Sequence, residues 1–438
     1  MRRLLKDYGM LLVLLLLCGL FSVLTYDEQH PTGTGGADDL LRAVVERAEP
    51  GATVMVVARG HADDRAFAER LRAGLDAAGF AVLKTVTGEP SDARRALKEL
   101  AGAGRKLDVI AGNQVTAGWL VFADLATDFP VLGEPKILQP QSYHWPNFLK
   151  RDNLLNVSNQ IAVIAILAIG MTFVIITAGI DLSVGSLIAL AAVVSAWCIR
   201  RYAGGESASA AGMVLSCFAG IGACGIVGLF TGLMVTRFAV PPFIVTLGMM
   251  MVASGLAYLV AEGGSIYQVP DSFVRLGRGA DIPGVPNAVL LMLVLYLIAH
   301  QVMTRSRLGR HIYAVGGNPE AARLSGVPVN RVLLFAYVAS GLLAGLGGVV
   351  LASQLKSGSP TYGQMYELYT IAAVVVGGTS LAGGEGKMFG TLIGAFIIAV
   401  IQNGMNLTSV EPYTQKVVLG AVILAAVLLD RLKWRSQA

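Results

Sequence analysis

The sequence predicts a mainly α-helical, polytopic membrane protein with a small α/β parallel-sheet domain inserted near its N-terminus. Three observations carry this. Of 438 residues, 54% are hydrophobic and only 14% charged, with a mean hydropathy of +0.63, a balance far too apolar for a soluble globular protein. From Asn153 onward, long apolar runs alternate with short polar connections. Between Tyr26 and Tyr143 charges become frequent, apolar runs shrink, and strand-like and helix-like patterns alternate.

The net charge of +5 gathers at the N-terminus, a central loop and the C-terminal tail. Membrane topology alone requires this, so no nucleic-acid binding is inferred. Cys18, Cys198, Cys217 and Cys224 lie in or at the ends of apolar stretches, without C-x-x-C spacing or neighbouring histidines. They read as small core residues, and no metal site is predicted.

Arg2, Arg3 and Lys6 precede an apolar run from Gly9 to Thr25, which is either a cleaved signal or a retained first span. The run GLFSVLTYDE offers a poor small-x-small cleavage site, and a retained span is favoured over a lipoprotein-like signal at Cys18. After the Gly-rich linker PTGTGG, the soluble stretch begins with a helix from Ala37 to Glu49 and the strand Thr53 to Arg59. A helix from Asp63 to Ala78 follows, with Phe67, Leu71 and Leu75 on one face and Gly79 closing it. Next come the strand AVLKTV, a helix opened by Ser91 and Asp92, the strand Leu107 to Gly112, a helix from Val115 to Leu125 and the strand PKILQ. Alternating strand and helix with short connections implies a parallel sheet covered on both faces.

The order resembles one lobe of a periplasmic sugar-binding protein. Ligands of such sheets sit beyond the carboxyl ends of the strands, where Arg59, His61, Asp63, Asn113 and Gln114 would line a site or stand as ordinary polar loop residues. The turn at Gly60 lacks the G-x-G-x-x-G spacing of a nucleotide site.

Further spans are predicted at 156–178, 182–199, 211–236, 242–261, 286–304, 331–354, 367–384, 388–406 and 414–430, about ten with the first. An even count puts both termini on one side, and both carry basic clusters, the second being Arg431, Lys433 and Arg435. Both ends, Arg237, the 304–331 loop and Lys387 are thereby cytoplasmic, and residues 26–153 extracytoplasmic. Arg200 and Arg201 fall on the outer side and disagree with the rule.

Asp181, in VIITAGIDLSVGSLIAL, is a lone charge in a long apolar stretch. A carboxylate at mid-bilayer costs roughly 2.5 to 3.5 kcal/mol on insertion scales, so it must be paired, in a cavity or at a turn. Gly179, Ser183, Gly185 and Ser186 suit a break between two helices, with Asp181 either capping the second or contacting solute. A second interrupted segment, Val374 to Phe396, places Gly377, Gly378, Thr379 and Ser380 at the corresponding point of the second half. Gly386-Lys387 imitates the end of a phosphate loop, but Leu381 and Met388 stand where Walker A needs Gly and Ser or Thr, so the chain holds no nucleotide-hydrolysing site. The basic loop 304–331 carries a helix signal: Asn318 as N-cap, Pro319 at the first position, Glu320 in the first turn and Gly326 as terminator. A helix that short is not stable alone, so a partner or the bundle must hold it.

The segments GMTFVIITAGIDLSVGS, VPPFIVTLGMMMVASGLAYL, LGRHIYAVGGNPEAARLSGVPVNRV, ELYTIAAVVVGGTSLAGGEGKMFGTLIGA and QNGMNL resemble, in order, the permease subunits of ribose-, galactose- and xylose-type ABC importers over residues 147–430. The resemblance implies the larger importer type, with two permeases on a pair of cytoplasmic ABC ATPases that bind ATP and Mg. A periplasmic sugar-binding protein would feed it in a bacterial inner membrane, with lipid around it. It makes Asn318, Pro319, Glu320, Ala321, Arg323, Leu324, Ser325 and Gly326 a coupling helix seated on the ATPase. The expected domains are 1–25, first span; 26–146, the outer domain; and 147–438, the permease domain. The family runs almost directly from its first span into the FL…NLLN segment, whereas residues 26–146 intervene here as a tethered lobe, a docking platform or a structural accessory. A receptor is disfavoured because no signalling module follows the last span, and a secondary transporter because intramembrane ionisable groups are few.

Overall fold

The computed structural model describes the backbone of residues 2–435 and the side chains of residues 9–428. The basic side chains of Arg2, Arg3, Lys6, Arg431, Lys433 and Arg435 lie outside the described residues. The chain forms two units, one of Met1–Thr25 with Asn147–Ala438, the other of Tyr26–Pro146.

Helix α1 (Arg2–Leu24) opens the first unit. Phe21 packs on Phe148, ring centroids 6.2 Å apart, and its ring occupies the place a side chain at Gly404 would need. The Thr25 carbonyl accepts from the Asn147 N–H at 2.8 Å, and its Oγ1 accepts from the Phe148 N–H at 3.0 Å. The chain thus leaves this unit and re-enters it at hydrogen-bonded residues.

In the second unit, β1 (Tyr26–Gln29) is joined later by its antiparallel partner β6 (Tyr143–Pro146). Between them lie α2 (Gly33–Arg47), β2 (Thr53–Ala58), α3 (Ala62–Ala77), β3 (Ala81–Thr87), α4 (Pro90–Gly102), β4 (Val109–Gly112), α5 (Gln114–Ala117), α6 (Leu125–Asp128) and β5 (Lys136–Leu138). The four inner strands pair in parallel in the order β3-β2-β4-β5. Val54 and Val56 of β2 pack with Leu40, Phe67 and Leu71 from α2 and α3. Met55 and Val57 pack on the opposite face with Leu97 of α4 and Phe122. Because both faces are covered, β2 reads as a continuous apolar run rather than an alternating one.

Two expectations change here. The stretch read as a Gly-rich linker is the first turn of α2, because Gly36 sits so close to the Pro31 carbonyl that a Cβ would meet it at 2.6 Å, and only glycine lets the turn close there. The helix expected from Val115 to Leu125 is broken, since α5 stops at Gly118 and a 3-10 turn separates it from α6.

The first unit resumes with α7 (Arg151–Ile176), α8 (Val184–Tyr202), α9 (Ala210–Arg237), α10 (Pro242–Val260), α11 (Arg275–Arg278), α12 (Asn287–Arg305), α13 (Arg307–Gly317), α14 (Pro319–Leu324), α15 (Val329–Leu355), α16 (Tyr366–Val376), α17 (Met388–Leu407) and α18 (Pro412–Arg435). Among the described residues seven helices are long and apolar enough to cross a membrane: α7, α8, α9, α10, α12, α15 and α17. Gly9–Leu24, Tyr366–Val376 and Pro412–Leu428 are shorter apolar helices.

Helix α7 is the buried centre, apolar on every side as a fully enclosed helix must be. Helices α9 and α10 keep large side chains such as Phe218, Met251 and Leu259 exposed, which suits lipid contact. Helix α15 lies against α9 backbone to backbone: a Cβ at Gly228 would meet the Tyr337 carbonyl, and one at Gly341 the Cys224 carbonyl, each at 2.4 Å. Where lipid removes the hydrophobic drive, such contact is what holds helices together. All four cysteines are free, and the buried Cys224 Sγ donates to the Leu187 carbonyl at 3.2 Å.

Two corrections concern this unit. The span expected at 367–384 ends at Val376, because Gly378 adopts a left-handed conformation (φ 89°) that terminates α16. Residues 304–331 are not a loop around one short helix. Helix α13 precedes it, capped by Ser306, whose Oγ accepts from the Gly309 N–H at 3.0 Å.

Candidate functional site

The α13–α14 pair presents the most exposed of the predicted residues. Asn318 Oδ1 accepts from the N–H groups of Glu320 and Ala321, each at 3.0 Å, and Pro319 occupies the first helical position. At the other end Gly326 has φ 81°, its N–H donates to the Arg323 carbonyl and that of Val327 to the Ala322 carbonyl, both at 3.0 Å. This double closure satisfies the carbonyls that six residues could not satisfy themselves. Ser325 Oγ adds a bond to the Ala321 carbonyl at 2.9 Å. Only Ala322 faces inward. Glu320 and Arg323 form an exposed ion pair at 3.2 Å, and Leu324 is 90% exposed.

The two predicted interruptions end their helices in the same way. After α7, the Ala178 N–H donates to the Ile175 carbonyl and the Gly179 N–H to that of Val174, with Ala178 left-handed (φ 62°). After α16, the Gly378 N–H donates to the Val375 carbonyl and the Thr379 N–H to that of Val374. Both follow the Schellman pattern.

Asp181 does not cap α8. The N-cap is Ser183, and Asp181 Oδ1 accepts from the Ser183 N–H at 3.0 Å and its hydroxyl at 2.6 Å, closing a turn ahead of the helix. Its Oδ2 accepts from Ser340 Oγ at 2.7 Å. Ser340 lies roughly 16 Å along α15 at 1.5 Å per residue, so the carboxylate is deep in the bundle and spent on protein hydroxyls. Gly185 is enclosed by Glu367 and the Gly363 carbonyl, and Ser186 is half-buried. In the second break, Gly377 lies on the Gly390 carbonyl, Ser380 Oγ accepts from the Ala382 N–H, and the buried Thr379 hydroxyl has no partner among the described residues.

Sequence reasoning missed what joins these pieces. The Ile176 carbonyl, at the end of α7, accepts from the Gly384 N–H at 2.9 Å. Gly316, near the end of α13, packs on that same carbonyl so tightly that a Cβ would stand 1.7 Å from it. Tyr313 of α13 donates through its hydroxyl to the Gly386 carbonyl at 2.7 Å. The end of α7, the second break and α13 therefore meet at one place. Gly316-Gly317 and Gly383-Gly384 were the visible signal, since paired glycines permit close backbone approach.

In the second unit the hub is Asp64, a residue the sequence reading passed over. Its buried carboxylate accepts from Arg59 Nε at 2.8 Å and Asn113 Nδ2 at 2.7 Å, while Asn113 Oδ1 accepts from the Thr116 N–H at 3.0 Å. Asn113 is thus committed to structure, whereas His61 and Asp63 are exposed and Gln114 half-buried. Among the described residues no group of three or more His, Cys, Asp or Glu side chains could hold a metal ion.

Comparison with known proteins bears on the first unit. The family described as branched-chain amino acid transport system / permease component matches residues 153–427. The ribose import permease protein RbsC of Escherichia coli (strain K12) is 44% identical over 292 residues, 66% of this chain and 88% of that protein. That of Bacillus subtilis (strain 168) is 43% identical over 290 residues, 66% and 87% of the two chains. The D-allose transport system permease protein AlsC of Escherichia coli (strain K12) is 38% identical over 285 residues, 65% and 85%. No solved structure matches the chain. The family match spans more than half of the sequence and encloses both helix breaks and the α13–α14 pair, and the chain belongs to the branched-chain amino acid transport system / permease component family.

Proposed function

We propose that this chain is the membrane-spanning permease subunit of an ATP-driven importer, carrying a monosaccharide or similar small polar solute across a bacterial inner membrane by alternating access. The observation that carries this reading is 44% identity along 88% of a ribose import permease. On this reading the chain is not an enzyme: ATP and Mg are bound and hydrolysed by a separate cytoplasmic ATPase, and a second permease completes the pathway.

The α14 segment Asn318 to Gly326 is the ATPase-docking element. Its exposed Leu324, Glu320 and Arg323 and its capped ends support that role, because a short helix held rigid while its apolar residue stays in water is suited to a partner's groove. Force at α14 reaches the bundle through α13, by way of Gly316 on the Ile176 carbonyl and Tyr313 on the Gly386 carbonyl. Asp181, Ser183, Gly185 and Ser186, with Gly377, Gly378, Thr379 and Ser380, form the two breaks about which α8 and α17 shift. Counting the three shorter apolar helices with the seven long ones gives ten spans, with both termini and α13–α14 cytoplasmic and residues 26–153 extracytoplasmic. A periplasmic sugar-binding protein delivers the solute. Residues 26–146 act there as a platform for that protein or as a tethered lobe contacting solute through His61, Asp63 and Gln114, with Arg59 and Asn113 behind them.

The test is reconstitution. The chain, co-expressed with the ATPase encoded beside it, is purified and placed in liposomes with the cognate binding protein. ATP-dependent accumulation of D-ribose, D-allose or D-fructose is expected. An ATPase that never co-purifies, or uptake indifferent to ATP, overturns the proposal.

A further inference from the structure

Four helices of the membrane unit, α7, α15, α16 and α17, line a cavity of about 360 Å³. Its wall is aliphatic except at five residues, Gln160, Gln354, Gln402, Tyr366 and Tyr369, and no charged side chain lines it. Gln354 Nε2 donates to the Asn159 carbonyl at 2.9 Å, which fixes that amide and leaves its Oε1 for the cavity. The side-chain amides of Gln160 and Gln402 and the hydroxyls of both tyrosines make no hydrogen bond to any described residue.

That is an expensive arrangement within apolar helices, where an unsatisfied polar group costs several kcal/mol. Something must answer these groups, and their chemistry narrows what. An ion finds no opposite charge. A lipid tail leaves every amide and hydroxyl unmet. A neutral polyhydroxylated molecule fits, since each of its hydroxyls both donates and accepts, as do the amide and phenol groups facing it. The rings of Tyr366 and Tyr369, with centroids 6.3 Å apart and tilted by 56°, add apolar faces for the C–H side of such a molecule. The volume lies at the small end of the roughly 300 to 1,000 Å³ typical of ligand sites, room for one monosaccharide.

We propose that this cavity is the intramembrane transit site for a neutral polyhydroxylated solute, with Gln160, Gln354 and Gln402 as its hydrogen-bonding contacts and the Tyr366–Tyr369 pair as its apolar wall. The proposal rests on the importer reading above and adds a selectivity rule to it. Long, uncharged amides on flexible stems accept any pattern of hydroxyls but offer nothing to a phosphate or carboxylate. The bundle therefore selects neutral polyols as a class and leaves the choice among epimers to other components.

The test uses the permease–ATPase complex in liposomes, comparing wild type with Gln160→Leu and Gln402→Leu for uptake of labelled D-ribose, D-allose and D-fructose, with ATP hydrolysis and complex assembly followed in parallel. Loss of one amide contact is expected to lower the solute carried per ATP by about tenfold while hydrolysis and assembly hold. Independently, Gln402→Cys is exposed to a charged, water-borne methanethiosulfonate, the wild-type chain with its four cysteines giving the background. Labelling slowed by excess sugar supports the site. Unchanged uptake in both leucine variants overturns it, as does labelling only by a lipid-soluble maleimide, which makes the cavity a lipid groove, or by neither reagent, which makes it a sealed interface. A wild-type complex that carries none of the three sugars refutes the importer reading itself, and the site with it.

Discussion

Leu324→Ala separates a docking role from a structural one. At 90% exposure Leu324 contributes almost nothing to the fold of its own chain, and alanine is at least as good a helix former, so α14 itself keeps its shape. If the residue enters a groove of the ATPase, full burial of a leucine side chain is worth about 1.5 to 3 kcal/mol. Truncation should then weaken the permease–ATPase complex by roughly 10- to 100-fold, at 1.4 kcal/mol per factor of ten. The exposed Glu320–Arg323 pair offers a contrast. Within the chain it is worth at most about 0.5 kcal/mol, so Glu320→Ala with Arg323→Ala changes stability little and affects docking only through contacts to the partner. The assay is a titration of detergent-solubilised permease with the ATPase subunit, with thermal midpoints of the free permease measured alongside. Weaker binding with an unchanged midpoint is the expected pair of results. An unchanged affinity for Leu324→Ala, or a midpoint that falls with it, would refute the reasoning.

Other substitutions probe the same architecture. Asn318→Ala removes both cap bonds of α14 at a cost of about 1 kcal/mol. Hydrogen exchange of residues 319–324 should speed up while α15 stays protected, and unaltered exchange would count against the cap. Ser340→Ala strips one donor from the buried Asp181 carboxylate, a loss of roughly 1.5 to 3 kcal/mol for a bond to a charged group, read as a lower thermal midpoint that Asp181→Asn partly restores in the same background. Gly316→Ala forces a methyl into the Ile176 carbonyl and should sharply cut the yield of folded protein, whereas Gly317→Ala, with open space around it, should be silent. Equal yields would show that α13 is not seated as described. In the second unit the Thr53 N–H and hydroxyl hold the Asp108 carboxyl below its ordinary range. Because the folded value is the depressed one, the stabilisation is present above the unfolded value near pH 4 and lost as pH falls through the folded value. Limited proteolysis of residues 26–146 in the intact chain should therefore accelerate on acidification from pH 6 to 3, and Asp108→Asn should flatten that dependence.

What could be read in advance follows the range of the interactions. Helix α14 was legible because Asn318, Pro319 and Gly326 act on their own backbone within a few residues. So were the breaks at Ala178 and Gly378, where small residues announce a left-handed turn. Helix α13 was missed because its support is distant: the Ile176 carbonyl and Gly386 hold a segment whose local sequence, RLGRHIYAVGG, looks like a solvated loop. The irregular stretch after α15 was equally hidden. Lys356 and Met365 take left-handed conformations that neither residue favours, and the stretch is pinned by a bridge between Ile266 and Gly358. Asp63 and Asp64 are indistinguishable as letters, yet one faces solvent and the other receives Arg59 and Asn113. A search for intramembrane charges found Asp181 and passed over Gln160, Gln354 and Gln402, because a neutral amide carries no Coulombic signal until its lack of partners is seen in three dimensions.

The junction of the two units shows why a permease can accept so large an interruption. Thr25 and Asn147 are already hydrogen-bonded to one another inside the membrane unit, so α1 and α7 are positioned without reference to what lies between. The cost of closing an intervening segment grows only slowly, by about 0.6 kcal/mol per doubling of its length. Most of that closure is supplied by β1 and β6, which pair in register from Tyr26 with Pro146 to Gln29 with Tyr143 before the sheet begins. A segment whose ends are zipped together presents two adjacent termini however many residues it contains. The membrane unit therefore meets the same geometry as with a short loop, and the inserted residues can change their function without disturbing the path from α14 through α13 to the helix breaks.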